Sequence, residues 1–294
     1  RGGQRPAKML WIFLAFLTAI SLSTLDVLSK KALAQTDELV IAWVREGYAL
    51  PFLALGLVFV GVPKLDPTFF LTVLILLPLE VLALILYVKA IKLSPLSLSV
   101  PFMALSPVFI VFIAFVFLHE VPGTAGVIGI ALIALGAYLL NASASRYGLS
   151  GPLKAAFKEP GSLLMIAVAF IYSITSTLGK VALKHSSPAF FAFFYPFVLS
   201  MALFVVVKVK GKAGLLFSRP RTFIVLGFFA SIMIISHFAA ISMAQVAYVI
   251  SVKRTSLVFS VLLGRLVFKE ANIKERLLGC SVMLAGVFLI VFFE

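Results

Sequence analysis

The chain repeats itself at an offset of 150 residues without a gap. Matched positions run from the front of each half to its end, as in the pairs Lys30 and Lys180, Ser106 and Ser256, and Gly136 and Gly286. Such a repeat constrains the fold strongly because each copy must build the same unit. Each copy holds about five apolar segments of membrane-spanning length. Since five is odd, the second copy enters a membrane inverted, an arrangement typical of secondary transporters.

The composition predicts an integral membrane protein. Hydrophobic residues make up 62% and charged residues 12% of the chain, and the mean hydropathy is +1.16. A soluble domain is about half apolar and about a quarter charged. Apolar runs of about 20 residues that do not alternate favour helices over a barrel. The predicted fold class is an all-α integral membrane protein with ten transmembrane helices in two inverted five-helix repeats.

The apolar runs and the Gly and Pro punctuation divide the chain. Residues 9–142 form the first predicted repeat, 143–160 the linker and 161–294 the second repeat. The ten predicted spans are 9–30, 40–60, 68–91, 95–118, 123–141, 161–184, 188–208, 221–243, 245–268 and 274–293. The linker segment 153–158 is either a short basic helix at the interface or plain connection. We expect no cleaved signal peptide, because the first span is too long and no cleavage site follows it.

Charge and motifs exclude several function classes. The net charge of +14 lies mostly in short loops, so we expect a lipid bilayer and no nucleic acid as partner. Cys280 is the single cysteine, which excludes an intramolecular disulfide and a thiolate metal cluster. Motifs of hydrolases, metalloproteases and phosphate loops are absent from the sequence. We therefore predict no enzyme activity, no cofactor and no metal.

The ends of the fourth and ninth spans carry a resemblance to a known family. Each ends in an acidic turn, at Glu120 and Glu270, and a helix with small residues at seven-residue spacing follows. This pattern resembles the drug/metabolite transporter superfamily of the EamA type, and Arg45 resembles that family's arginine in the second helix. The resemblance implies ten helices, two inverted halves and a central substrate cavity. It departs at His119 and Lys269, where the family often has glycine.

Orientation is predicted differently by charge and by resemblance. Loops on the side of the N-terminus hold fewer Lys and Arg than the opposite loops. The positive-inside rule therefore predicts that both termini lie outside the cytoplasm. The family resemblance implies a cytoplasmic N-terminus instead. In either case we expect a multi-pass protein of the cell membrane, either inner or plasma membrane.

Lys253 is the first candidate for substrate binding. An ionisable residue inside a span costs about 2.5–3.5 kcal/mol on insertion scales, so each is a candidate functional residue. Lys253 lies near the middle of the ninth span and shares a helical face with Gln245 and Ser256. It either contacts an anionic group of the substrate or pairs with a buried carboxylate. Tyr248 lies on the Gln245 side, where its ring would stack on a substrate.

Two carboxylates are candidates for coupling, gating or substrate binding. Glu80 lies in the third span beside Pro78, where it either binds a coupling proton or forms a salt bridge with Lys253 or Arg254. Asp26 stands four residues before Lys30, an order that favours an ion pair, and we also expect it to line the cavity. Arg254 is grouped with the residues of coupling or gating.

Further polar residues complete the predicted site. Ser173 and Ser176 share a face of the sixth span and are expected at the substrate, although such hydroxyls often bond back to their own helix. Arg45 is assigned to coupling or gating, and it either acts there or is neutralised by its neighbour Glu46. The aromatic run 190–195 is interpreted as a lipid or packing face, and His237 as an interhelical hydrogen-bonding residue.

The sequence thus predicts a secondary active transporter that moves a small polar metabolite, anions included, by alternating access. Coupling to protons and exchange both remain open. The cavity is expected between spans one, three, four, six, eight and nine, and a monomer should suffice. One alternative is an exchanger or flippase of a phosphate-bearing, lipid-linked molecule. The alternative of another class is a non-transporting receptor or assembly subunit, which would have a packed interior and mutually paired charges.

Overall fold

Regular structure is helical throughout the part of the chain that the computed structural model describes, residues 4–57, 61–119, 122–139, 159–269 and 273–293. The first half contains α1 (Gln4–Leu33), α2 (Glu38–Gly47), α3 (Leu50–Leu57), α4 (Pro67–Leu93), α5 (Leu96–Ser99), α6 (Ser106–Leu118) and α7 (Thr124–Leu139). The second half contains α8 (Pro160–Lys184), α9 (Pro188–Val209), α10 (Pro220–Met243), α11 (Val246–Lys253), α12 (Ser256–Phe268) and α13 (Ile273–Phe293). The segments Val100–Leu105 and Ala213–Phe217 are 3-10 helices.

Six helical stretches among the described residues are long and apolar enough to cross a membrane. They are Met9–Leu33, Pro67–Leu93, Pro160–Lys184, Pro188–Val209, Pro220–Met243 and Val246–Phe268. Shorter apolar helices cover Phe102–Leu118, Thr124–Gly136 and Leu277–Ile290. The chain is therefore a multi-pass helical protein, and the count of ten spans stays a prediction. The linker segment 153–158 lies outside the described residues.

Three of the predicted spans are broken near their middle. The second predicted span divides between α2 and α3 at Tyr48, the fourth passes through Val100–Leu105, and the ninth turns at Arg254 between α11 and α12. Lys253 ends α11 and Arg45 lies in the last turn of α2. The C-terminal end of a helix carries partial negative charge, which stabilises cations there. The breaks thus give both cations a favourable place inside the protein.

Contacts between helix ends define two faces of the molecule. On face A, the ring nitrogen Nδ1 of His185 lies 2.6 Å from Asp66 Oδ2. On face B, Glu159 bonds to Ser94, and Lys212 Nζ lies 2.6 Å from Asp37 Oδ2. Helix α8 begins beside Ser94 and ends at face A, whereas its repeat equivalent α1 ends at face B. The two equivalent helices therefore run antiparallel.

The two repeats interlock through their helix packing. Helix α1 packs along α10 of the other repeat, and α4 packs along α8. Helices α7 and α13 form a third extensive contact. A Cβ atom at Gly129 would lie 2.7 Å from the Gly286 carbonyl oxygen, and one at Gly136 would lie 2.6 Å from that of Gly279. The glycines therefore allow the close helix approach that their spacing predicts.

Helices α6 and α12 end in the same unusual backbone conformation. His119 and Lys269, which are repeat equivalents, have φ angles of 54° and 55°. This left-handed conformation favours glycine, because a Cβ atom is crowded there. This backbone conformation explains why the resembled family often has glycine before the acidic turn. The acidic residues Glu120 and Glu270 themselves lie outside the described residues.

Candidate functional site

A cavity of about 110 Å³ lies between the two repeats. Its second-repeat lining comes from Tyr172–Gly179 of α8, Phe191–Leu199 of α9, Met233–Ile241 of α10 and Ile250–Arg254 at the end of α11. The stretches of α8, α9 and α10 lie in the part of each helix nearer face A, and α11 runs from face A to its end at the middle of the protein. The cavity therefore extends from the middle of the protein toward face A. At its other end, it is separated from face B by the six residues between Tyr87 and Ser94, about 10 Å of helix.

Charged side chains of both signs border this cavity. Lys253 and Arg254 lie on one side, and Glu46 and Glu80 also line it. Among the described residues none of these four forms an ion pair within 4.0 Å. Arg254 Nε instead donates to Ser106 Oγ at 2.9 Å, and Glu80 lies close to the neutral side chain of Thr175. The cavity therefore offers opposite charges that direct pairing has not neutralised.

Asp26 and Arg45 form a buried ion pair beside the cavity. Arg45 Nη1 lies 2.9 Å from Asp26 Oδ1, and the Tyr87 hydroxyl donates to Asp26 Oδ2 at 2.6 Å. The Arg45 guanidinium also lies over the Tyr87 ring, 5.2 Å from its centroid. Arg45 and Tyr87 border the cavity, but Asp26 does not. The expected Asp26–Lys30 ion pair is wrong, because Arg45 satisfies Asp26 and Lys30 bonds to the carbonyl oxygens of Ile91 and Ser94.

The structure brings together some of the predicted site residues. Those at the cavity are Lys253, Ser176, Glu80, Arg254 and Arg45. Neither the Glu80–Lys253 nor the Glu80–Arg254 salt bridge is formed in the structure. Lys253 likewise has no carboxylate within 4.0 Å among the residues described. The pairing alternative for Lys253 is thus not what this conformation shows.

The other predicted substrate-binding residues lie off the cavity. Besides Asp26 they are Ser173, Gln245 and Tyr248. The Ser173 hydroxyl donates to the Phe170 carbonyl oxygen at 2.5 Å, as helix serines often do. The Tyr248 hydroxyl accepts from the backbone N–H of Gly123 at 3.0 Å, and Gln245 precedes the first residue of α11. Gln245 lies outside the helix that holds Lys253, and Tyr248 is five positions from Lys253, about 140° around that helix.

Several cavity residues were not anticipated as site residues. The sequence indicates Glu46 only as a neutraliser of Arg45, and the aromatic run 190–195 as a lipid or packing face. In the structure Glu46, Phe191 and Tyr195 line the cavity, so the second and seventh predicted spans contribute to it. His237 also borders the cavity, and its Nδ1 atom lacks the expected interhelical bond among the described residues. Self-neutralisation of Arg45 and Glu46 is wrong as well, since Arg45 pairs with Asp26.

No three His, Cys, Asp or Glu side chains cluster as a metal site within the described ranges. The cavity instead combines charged, hydroxyl and aromatic side chains. A cavity of this kind, enclosed by interlocked repeats with broken helices, defines the class of polytopic membrane transporters.

Comparisons with known proteins agree with that class. The sequence model of the EamA-like transporter family matches residues 9–142 and 159–292. The chain therefore belongs to the EamA-like transporter family, within the drug/metabolite transporter superfamily, whose members are generally not enzymes. One solved crystal structure is similar in fold, with a TM-score of 0.75 and 17% sequence identity over 97% of this chain and 99% of that chain. No similar curated protein was found.

Proposed function

We propose that this transporter moves a small zwitterionic solute, one that carries an amine and a carboxylate, by alternating access across the inner or plasma membrane. The proposal rests on one observation: the cavity is lined by positive and negative side chains that, among the described residues, are not neutralised by direct ion pairs. Lys253 and Arg254 supply positive charge, and Glu46 and Glu80 supply negative charge. A zwitterion would satisfy both signs at once, whereas an anion or a cation would leave one sign without a partner in a site of low dielectric.

Lys253 and Glu80 are the residues that we assign to the two charged groups of the solute. Each interacts electrostatically with the other across the cavity without a direct ion pair. A carboxylate on the Lys253 side and an amine on the Glu80 side would complete two charge-assisted hydrogen bonds. Arg254 is tied to Ser106 and acts with Lys253 as the positive wall. The aromatic rings of Tyr172 and Phe191 would contact the apolar part of the solute.

Glu80 is also our candidate for coupling. Asp26, the other acid considered for that role, is held by Arg45 and Tyr87. Glu80 lies close to the neutral Thr175 side chain and forms no ion pair among the described residues. A carboxylate without a directly paired cation can gain or lose a proton without breaking a buried ion pair. Proton binding at Glu80 would alternate with binding of the solute amine.

Two rival functions fit the cavity less well. An exchanger or flippase of a phosphate-bearing molecule needs an excess of positive charge, whereas the acids Glu46 and Glu80 offset Lys253 and Arg254 here. A receptor or assembly subunit that moves nothing would have a packed interior with its charges mutually paired. The Asp26–Arg45 pair meets that expectation, but the cavity and the charges around it do not.

A binding experiment with three forms of one solute tests the proposal. Purified protein is titrated with L-threonine, with its anionic N-acetyl derivative and with its cationic methyl ester, and thermal stabilisation is followed because it reports occupancy. We expect threonine alone to stabilise the wild type. Lys253→Met and Glu80→Gln should each abolish that stabilisation. Arg265→Gln, which removes an exposed cation of α12, is the matched control and should leave it unchanged.

The competing outcomes point to different functions. Stabilisation by the N-acetyl derivative but not by threonine would contradict the zwitterion proposal and favour a carrier of anions. Stabilisation only by the methyl ester would place the binding energy on the acids and contradict the role of Lys253. Equal stabilisation in the wild type and in both cavity variants would show that the solute binds elsewhere.

A further inference from the structure

Three positions of the first repeat form a bonded set whose equivalents in the second repeat are different. At an offset of 150 residues, Asp26 corresponds to Ser176, Arg45 to Tyr195, and Tyr87 to His237. In the first repeat the carboxylate, guanidinium and phenol bond to one another. In the second repeat all three equivalents border the cavity. The duplication has thus produced one set whose members bond to one another and one set that lines the cavity without such mutual bonds.

The second set contains buried polar atoms without partners. The Tyr195 hydroxyl and His237 Nδ1 have no hydrogen-bond partner in the part of the chain that the structure describes. Tyr195 is only 6% exposed. An unpaired buried polar group is rare in proteins, because each one loses its hydrogen bonds to water. Two such atoms beside one cavity indicate a partner that the protein does not itself provide.

Ring packing fixes the place of these two groups. The Tyr195 ring stacks on Phe191 at a centroid distance of 5.1 Å and meets Phe238 edge-on at 6.4 Å. The His237 ring lies 5.3 Å from that of Phe238. Aromatic neighbours leave the hydroxyl and the imidazole nitrogen little freedom to find other partners. Their hydrogen-bonding capacity is therefore directed to whatever occupies the cavity.

We infer that Ser176, Tyr195 and His237 form a subsite for a neutral hydroxyl or carboxamide group of the transported zwitterion. The inference rests on the proposed function and adds the chemistry of the solute's side chain. A phenol and a neutral imidazole can each donate or accept a hydrogen bond. A hydroxyl or carboxamide, which does both, matches them, whereas the charged groups of the solute have Lys253 and Glu80.

Matched pairs of solutes test the subsite. L-Threonine and L-2-aminobutyrate differ by one hydroxyl, and L-asparagine and L-leucine are similar in shape and differ in the carboxamide. We expect the polar member of at least one pair to bind the wild type about tenfold more tightly in equilibrium titrations. Tyr195→Phe and His237→Leu should bring the ratio within a pair close to one. His237→Asn, which keeps a polar group near the position of Nδ1, should retain part of the preference.

Tyr48→Phe is the control, because it removes a tyrosine hydroxyl that donates to the Leu216 carbonyl oxygen away from the cavity. We expect it to lower stability and to leave the ratio within each solute pair as in the wild type. Equal binding within both pairs by the wild type would overturn the inference while leaving the zwitterion site intact. A preference that survives in both Tyr195→Phe and His237→Leu would overturn it too. If none of the four solutes binds, the proposed function fails, and the subsite fails with it.

Discussion

Lys30 and Lys180 occupy the same position in the two repeats and make the same bond on opposite faces of the protein. Lys30 Nζ donates to the Ser94 carbonyl oxygen at 2.6 Å on face B, and Lys180 Nζ donates to the Ala244 carbonyl oxygen at 2.6 Å on face A. Ser94 and Ala244, which follow the ends of α4 and α10, are themselves repeat equivalents. Each lysine thus joins the helices of the first and third predicted spans of its own repeat.

These bonds join two helix pairs that have few direct contacts with each other. Helix α1 packs along α10, and α4 packs along α8, whereas contacts between α1 and α4 and between α8 and α10 are sparse. One lysine bond thus links the two helix pairs directly at each face, beside α2 and α9, which pack on both pairs. Lys180 follows Gly179 at the edge of the cavity, whereas Lys30 lies farther from it. In alternating access, the face-A bond would break to open the cavity toward face A, and the face-B bond would break in the opposite state.

Removing either lysine should bias the protein toward opening on that face. In a Cys280→Ser background, Ile241→Cys reports access from face A and Met103→Cys reports access to the other end of the cavity. We expect Lys180→Met to raise the maleimide-labelling rate at position 241 about tenfold, and Lys30→Met to do so at position 103, because each loses a charge-assisted hydrogen bond. The double variant should return toward the wild type. Labelling changes in the same direction for both lysine variants would contradict this account.

The buried Asp26–Arg45 pair should matter more for stability than any exposed pair. Asp26→Asn leaves the buried Arg45 guanidinium without its counter-charge, and we expect unfolding in detergent to become easier by about 3–5 kcal/mol. Glu38→Gln is the control, since it breaks an exposed pair with Lys92 and should cost less than about 1 kcal/mol. Replacing both buried partners, in Asp26→Leu with Arg45→Met, should recover part of the loss. Similar costs for Asp26→Asn and Glu38→Gln would show that the buried pair is not a principal support of the fold.

The Asp66 carboxylate on face A should make stability depend on pH in acid. The backbone N–H of Phe69 and the ring of His185 hold the pKa of Asp66 below its ordinary value of 3.8. A lowered pKa in the folded state gives stability that is fully present above 3.8 and is lost as the pH falls through the folded-state pKa. We therefore expect Asp66→Asn to unfold at a lower temperature than wild type at pH 7. The two proteins should converge in strong acid, and a difference that is independent of pH would refute this assignment.

The left-handed helix ends predict two stabilising substitutions. His119→Gly and Lys269→Gly should each raise the free energy of unfolding by up to about 1 kcal/mol, because glycine adopts positive φ without Cβ crowding. Lys210→Gly is the control, since Lys210 ends α9 with a φ of −82° and should gain nothing. The unfolding temperatures of the three variants and the wild type, measured in one detergent, test this prediction. Equal effects at positions 119 and 210 would mean that backbone strain does not limit stability at these ends.

Much of the fold could be predicted from the sequence because the repeat and the apolar lengths are long-range signals. Matched positions such as Lys30 and Lys180 occur without a gap, and the glycines of α7 and α13 pack as their spacing predicts. No comparable signal marks the break at Arg254, because the residues on both sides of it form one apolar run that is typical of a continuous helix. The start of α11 left no signal either, so Gln245 lies outside the helix whose face it was expected to share with Lys253.

The site could be predicted only in part, because partners are set by packing between distant helices. Lys253 and Glu80 were recognisable as ionisable residues in apolar segments, and both line the cavity. Asp26 looked equivalent to them, but its bonds to Arg45 and Tyr87 join three helices that sequence spacing does not relate. The repeat offset is the signal that would have drawn attention to Tyr195 and His237, since they correspond to Arg45 and Tyr87.

Counterflow in proteoliposomes tests the central claim most directly. Vesicles that contain the protein are loaded with unlabelled L-threonine, and entry of external labelled L-threonine is measured against protein-free vesicles. We predict transient accumulation of label by the wild type and by Arg265→Gln, and none by Lys253→Met or Glu80→Gln. Accumulation that is unchanged in Lys253→Met and Glu80→Gln, or no wild-type flux of threonine beside flux of its N-acetyl derivative, would contradict the account.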